Sequence, residues 1–146
     1  MQIKALGHVV LKVRSLERSV AFYRDLLGMK EVAHYRDAMV FFSLGQNHHD
    51  LGLLQLGAQA ELPGPHSLGL YHVAFKVGDS LDELRECKAH LERHGVAILG
   101  SSDHGVSQSL YIEDPDGIEI ELYADADPAL WRDNLAAVMT TRPLNL

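Results

Sequence analysis

The chain carries the same short pattern twice, and this repeat limits its architecture more than any other feature. Residues 7–13 read GHVVLKV and residues 71–77 read YHVAFKV, so His8 and His72 hold equivalent places. The surroundings of each copy repeat as well. Residues 3–13, IKALGHVVLKV, alternate and predict a strand that ends in a turn at Arg14-Ser15. Ser15 then opens a helix with Val20, Tyr23, Leu26 and Leu27 on one face and Gly28 just past its end. Strands are expected over 30–35, 39–44 and 51–56. In the second half, a strand over 70–77 leads to a helix capped by Asp79 or Ser80, with Leu81, Leu84, Cys87 and Leu91 on its apolar side and Gly95 at its end. Strands follow over 96–99, 109–113 and 118–123, the last two joined by the turn Asp114-Pro115-Asp116-Gly117. An internal repeat of this kind means two copies of one supersecondary unit sharing a core or a site. The expectation is an α+β fold, two βαβββ modules over 3–57 and 69–124 forming a curved mixed sheet around a cleft, within a single domain. Residues 57–68, rich in Gly and Pro, form the linker. The tail, 125–146, holds an Asp127-Pro128 cap and an amphipathic stretch around Leu130, Trp131, Leu135 and Val138.

Composition removes several classes of function. Hydrophobic residues are 47% of the 146 and charged residues 23%, the balance of an ordinary globular domain. A formal charge of −7 with no Lys/Arg cluster argues against nucleic acid, which needs a concentrated basic surface. No apolar run approaches the ~20 residues that cross a bilayer, so no membrane role is expected. No basic head precedes a cleavable apolar stretch, and a cytoplasmic location is expected. The single cysteine, Cys87, rules out an intrachain disulfide or a thiolate metal cluster and reads as a buried, inert thiol. Nine histidines stand out, because imidazole is the commonest metal ligand and titrates near neutrality.

Taken alone, a histidine on a strand is more often a hydrogen-bonded core side chain than a ligand. The equivalence of His8 and His72 changes that balance, since paired modules can turn both imidazoles toward one cleft. In 118–123, Glu119, Glu121 and Tyr123 share one face of the strand, which is either solvent-facing or turned into the concavity. A carboxylate buried there is costly unless it meets a cation. Two imidazoles and one carboxylate suit non-haem Fe(II) or Mn(II) with open coordination positions.

The two strand motifs, the strand–helix–three-strand order and DPDGIEIELY at 114–123 resemble the vicinal oxygen chelate superfamily, over about residues 3–124. That superfamily includes glyoxalase I, methylmalonyl-CoA epimerase, antibiotic-resistance proteins and extradiol ring-cleaving dioxygenases. The resemblance implies His8, His72 and Glu121 as ligands of one divalent metal: Fe(II) first, with Mn(II), Zn(II) or Ni(II) as alternatives. Glyoxalase- and epimerase-like members add a fourth ligand at the first-module position equivalent to Glu121. Aligning GLLQL at 52–56 with IEIEL at 118–122 puts Gln55 there. The amide can ligate, but the lack of a second carboxylate fits a three-ligand site better.

The stretch 103–117, DHGVSQSLYIEDPDG, is similar to that of catechol-type dioxygenases, which implies roles for His104 and for Tyr111, ten residues before Glu121. His49, in His48-His49-Asp50, matches their acid/base histidine. Tyr111 would hydrogen-bond the substrate oxygen. The bland alternatives are a polar strand start for 48–50 and a surface-facing tyrosine at 111. His34, His66, His90 and His94 lack such context and are expected to face solvent. The resemblance thus implies a dioxygenase acting on a catechol-like small molecule and dioxygen, and a homodimer. Two alternatives stand beside it: a glyoxalase- or epimerase-like lyase or isomerase, and a non-catalytic drug-binding protein.

Overall fold

The computed structural model describes residues 1–64, 66–132, 134, 136 and 140–146. The expected tail contacts at Leu135 and Val138 lie outside the described residues. The chain divides into two compact units, Met1–Ser67 and Leu68–Leu146. Their boundary falls between Ser67 and Leu68, at the end of the Gly/Pro-rich stretch 57–68. The architecture is mixed α+β with two mixed sheets, one of four strands and one of five.

In the first unit, β1 (Val9–Val13), α1 (Leu16–Val20), β2 (Lys30–Tyr35), β3 (Met39–Ser43) and β4 (Leu51–Gln55) follow the expected order. The sheet runs β1-β4-β3-β2, with β1 and β4 parallel and the other neighbours antiparallel. The Ser15 side chain accepts from the Arg18 amide and caps α1, and the helix continues as a π-helical stretch, Ala21–Leu26. That wider winding brings both Phe22 and Tyr23 inward, and the Tyr23 ring lies 6.4 Å from Phe42. Tyr23, Phe42 and Leu53 are wholly buried. Gly28, at φ 76°, turns the chain into β2. Residues 3–8 are not part of the first strand. β1 begins at Val9, opposite the first residue of β4, and Ile3 and Leu6 are exposed. Alternation continues upstream of Val9, but no strand within the unit pairs with it.

The second unit comprises β5 (His72–Gly78), α2 (Leu81–Arg93), β6 (Gly100–Asp103), β7 (Ser107–Glu113), β8 (Glu119–Asp125), α3 (Ala129–Arg132) and β9 (Arg142–Pro143). Its sheet runs β5-β8-β7-β6-β9. α2 starts in a capping box: the Ser80 hydroxyl accepts from the Glu83 amide and donates to the Glu83 carboxylate. The helix packs on β5, β7 and β8, with Leu84 and Leu91 fully buried. Each of those leucines contributes about 1.5–3 kcal/mol by leaving water. Cys87, halfway along, is half-buried and unpaired by disulfide, and burial pushes its thiol pKa up.

The strand expected over 96–99 is instead β6, GSSD, which begins four residues later, just past the expected span. β6 has no apolar alternation because its identity comes from pairing with β7, Gly100 opposite Tyr111 through Asp103 opposite Gln108. β9 carries no strand signal and is fixed by pairing with β6. The β7–β8 turn is organised by buried Asp114, whose Oδ1 accepts from the amides of Asp116 (2.8 Å) and Ile118 (2.9 Å), with Gly117 at φ 79°. Asp127 accepts from the Ala129 amide and caps α3 as expected. Among the described residues, no helix is long and apolar enough to cross a membrane.

Candidate metal centre

In β8, Ile120, Leu122 and Ala124 are buried in the core, so Glu119, Glu121 and Tyr123 project from the opposite face. Parallel pairing sets His72 beside Glu119 and antiparallel pairing sets Tyr111 beside Glu121. Sheet register alone therefore gathers an imidazole, two carboxylates and a phenol. His72 Nε2 lies 3.1 Å from Glu121 Oε2 and His72 Nδ1 lies 3.4 Å from Glu119 Oε1. The Glu121 side chain is only 12% exposed. Its other oxygen, Oε1, accepts from Ser109 Oγ at 2.5 Å, so Oε2 is the oxygen turned toward His72.

The donor chemistry fits a divalent cation. Two ligand atoms about 2.1 Å from one ion and set at right angles lie about 3.0 Å apart, close to the spacing of His72 Nε2 and Glu121 Oε2. The other imidazole nitrogen, Nδ1, is buried without an aligned hydrogen-bond partner despite its proximity to Glu119. Were Nε2 to ligate an ion, the ring N–H would sit on Nδ1, from which it could donate a hydrogen bond to the Glu119 carboxylate. A carboxylate behind a ligating imidazole is the usual supporting arrangement. No three His, Cys, Asp or Glu side chains are already gathered in metal-binding geometry among the described residues. The second unit supplies a pair, His72 and Glu121.

Tyr111 and His104 complete this face. Tyr111 OH and His104 Nε2 are 2.8 Å apart, and His104 Nε2 lies 3.9 Å from Glu121 Oε1. Burial, followed by the Glu121 charge, raises the Tyr111 pKa, so the phenol stays protonated at neutral pH. His104 sits in the β6–β7 turn rather than on a strand. Sequence reading named both residues and put Glu119 on the Glu121 face; it did not find Ser109 or Thr140, the latter of which touches the far side of His104. Only the alternation of β7 could have marked Ser109, which pairs with Tyr123.

His8 directly precedes β1 and is exposed, rather than lying mid-strand; His72 is likewise the first residue of β5. The His8 and His49 rings are 4.4 Å apart, and the His48 and His49 rings are also 4.4 Å apart. His48 Nδ1 and His49 Nδ1 approach to 2.6 Å, so one of them donates and the Nε2 end of His49 points away from this bond. Desolvation and the neighbouring His8 and His48 rings lower the His49 pKa, favouring the neutral base. Asp50 does not join this cluster as a free carboxylate: it accepts from the Leu44 amide and from Asn47 Nδ2, each at 2.6 Å.

Register also corrects the internal alignment. His72 lies opposite Glu119 and Ala74 opposite Glu121. In the first unit, Val9 lies opposite Leu51 and Val10, the counterpart of Ala74, lies opposite Gly52. The residue equivalent to Glu121 is therefore Gly52, not Gln55, a slip of three positions. Gln55 has another task, as its Oε1 accepts from the Leu16 amide at 2.8 Å at the start of α1. Gly52 is required for packing: a Cβ there would meet Val10 Cγ2 at 3.2 Å and Phe41 Cδ1 at 3.3 Å. The first unit thus offers no carboxylate at the place where the second offers Glu121.

Comparison with known proteins agrees with this architecture. Catechol-2,3-dioxygenase of Bacillus subtilis (strain 168) is 36% identical over 143 residues, 97% of this chain and 49% of that protein. The chain thus spans about half the length of that relative. Metallothiol transferase FosB of Staphylococcus epidermidis is 28% identical over 83% of this chain and 84% of its own length. The crystal structure of lactoylglutathione lyase from Agrobacterium tumefaciens superposes with a TM-score of 0.67 at 26% identity, covering 90% of this chain and 99% of that one. A family model, "Glyoxalase/Bleomycin resistance protein/Dioxygenase superfamily", matches residues 5–122. With that match over most of its length and both halves of the fold accounted for, the chain belongs to the glyoxalase/bleomycin resistance protein/dioxygenase superfamily, the vicinal oxygen chelate proteins.

Proposed function

We propose that this chain holds one divalent metal, Fe(II), through His8, His72 and Glu121, and that it is an extradiol-type ring-cleaving dioxygenase acting on a catechol-like aromatic. The observation that carries this choice within the superfamily is glycine at position 52, where a fourth, carboxylate ligand would have to come from. Three protein ligands leave adjacent positions for a chelating diol and a small gas molecule. Bound there, Fe(II) supplies the redox chemistry that ring opening by dioxygen requires. The chain's own residues handle protons and charge. His49, beside His8 and biased toward its neutral form, accepts a proton from the diol and returns it later in the reaction. Tyr111 and His104, hydrogen-bonded to each other next to Glu121, hold the substrate oxygen in a preorganised polar pocket. Ser109 holds Glu121 by one oxygen and leaves the other to the ion.

The similarity to metallothiol transferase FosB supports a second reading, thiol transfer. One experiment separates the two. Chain purified and loaded with Fe(II) without oxygen is analysed for bound metal, then followed by oxygen uptake with a panel of catechols, hydroquinones and biphenyl-diols. Uptake with coloured ring-opened product supports the dioxygenase. Metal bound but no uptake, with thiol consumption on an electrophilic drug, moves the assignment to thiol transfer. No bindable metal removes both and favours a small-molecule binder. The same material, run by sedimentation, tests the expected homodimer.

A further inference from the structure

The last seven residues of the chain do little for the hydrophobic core, yet they are pinned at several points. β9 pairs with β6, Ser102 opposite Pro143 and Asp103 opposite Arg142. Ser101 Oγ donates to the Leu144 carbonyl at 2.7 Å, and Lys88 Nζ on α2 donates to the Leu146 carbonyl at 3.1 Å. At the start of this segment, Thr140 makes a reciprocal pair of bonds with His104: its hydroxyl donates to the His104 carbonyl at 2.6 Å, and its own carbonyl lies 3.0 Å from His104 Nδ1. The neighbouring Gly105 leaves room for this approach, because a Cβ there would come within 3.0 Å of Thr140 Oγ1.

A carbonyl oxygen only accepts, so the nitrogen facing it must carry the proton. The Thr141 hydroxyl, 3.3 Å from the same nitrogen, can rotate to accept as well. A neutral imidazole has one N–H, and with that proton on Nδ1 the Nε2 atom is a bare acceptor. Nε2 lies 2.8 Å from the Tyr111 oxygen, which must then donate its only hydrogen to His104. We propose that the C-terminal segment is a positioning element for the site: the Thr140 carbonyl fixes the tautomer of His104, and His104 in turn fixes the direction of the Tyr111 O–H. Resting on the dioxygenase reading, this deepens it. Tyr111 then meets the substrate as an acceptor, and selects a diol that still keeps one hydroxyl proton on the oxygen facing it.

The test begins without metal or substrate, so that it does not depend on the reaction. Full-length chain labelled with ¹⁵N-histidine is recorded in long-range ¹H–¹⁵N spectra at neutral pH, with His104→Gln used to assign the His104 signals. A single Nδ1–H tautomer is expected. Deleting residues 140–146 is expected to put both tautomers in exchange. Should that deletion fail to fold, Ser101→Ala, which loosens the tail at Leu144 and leaves the core intact, is expected to introduce a minor Nε2–H population. In the Fe(II)-loaded chain, the same variants are expected to lose roughly tenfold to a hundredfold in kcat on catechols, with metal affinity unchanged within about twofold. An Nε2–H tautomer or an imidazolium in the full-length chain overturns the proposal, as does a His104 spectrum that stays the same in the folded tail variants. Absence of catechol turnover alongside the expected spectra would reject the dioxygenase and leave the positioning role standing.

Discussion

Replacing Ser109 by alanine separates a carboxylate that binds metal from one that merely lies near a histidine. Ser109 is fully buried and donates to Glu121 Oε1 at 2.5 Å, while Oε2 faces His72 Nε2 at 3.1 Å. The hydroxyl therefore holds the carboxylate plane so that one oxygen is turned toward the ion. A hydrogen bond to a charged group is worth about 1.5–3 kcal/mol net, and its removal takes the donor from a carboxylate whose side chain is only 12% exposed. At 1.4 kcal/mol per factor of ten, that is about a tenfold to hundredfold loss in metal affinity. An independent route gives the same range, since removing the support behind a ligand typically costs 10–100-fold. The assay is competition against a chromophoric chelator, without oxygen, with the unfolding midpoint of the metal-free chain checking that the fold persists. Ser107→Ala, two residues earlier on the same face of β7 and opposite Asp125, is the control and is expected to bind within about twofold of the parent. Wild-type affinity in a folded Ser109→Ala chain would refute the orientation argument and remove the main support for Glu121 as a ligand.

Other substitutions probe the remaining parts. His49→Ala is expected to lower catechol turnover by roughly 10²–10⁴ with metal affinity nearly unchanged, measured by oxygen uptake and chelator competition; equal turnover would exclude His49 as the acid/base. Gly52→Ala forces a methyl against Val10 and the Phe41 ring and is expected to cost about 1–3 kcal/mol in urea unfolding, whereas a neutral result would show that those side chains yield freely. Acid stability follows from carboxylates held below their ordinary pKa values, among them Asp50, chiefly by the Leu44 amide, and Glu83, chiefly by the Ser80 hydroxyl. Because their folded pKa values lie below the unfolded ones, their contribution is full above about pH 4–5 and is lost as pH falls through the folded values. The urea midpoint should drop through that window, and Asp50→Asn should make the drop shallower; a midpoint that rises on acidification contradicts the assignment.

How much of this was legible in the sequence depends on whether a signal was local. The α2 cap at Ser80, the DPDG turn and the exact span of β2 follow from residues close together in sequence, where turn chemistry and alternation decide the outcome. β6 and β9 were not legible, because GSSD and Arg142-Pro143 have no strand preference and exist through pairing with β7 and with each other. The start of β1 was overestimated for the converse reason: residues 3–8 alternate well, but a strand also needs a neighbour. At the candidate site His72, Glu121 and Tyr111, which the second sheet gathers on one face, were singled out in the sequence by motif and repeat. Alternation put Glu119 on the same face as Glu121, but its place beside His72 comes from sheet pairing, and Ser109 and Thr140, which arrive through register or a distant tail, resemble ordinary polar residues in a string.

The two halves differ where chemistry would differ. Both open their first strand at or beside a histidine, and both pair that strand in parallel with the last of the module, so duplication alone would produce a symmetric set of two imidazoles and two carboxylates. The first half has instead placed glycine where the carboxylate belongs, with Val10 and Phe41 packed close enough that a side chain there must displace them. It has gained a second and third imidazole at His48 and His49, close to His8 and not shared by the other half. The second half has kept Glu121 and surrounded it with Ser109, Tyr111 and His104, each hydrogen-bonded to a neighbour in the set or to the tail. The first unit therefore carries a cluster of imidazoles, and the second carries a carboxylate with its orienting donors.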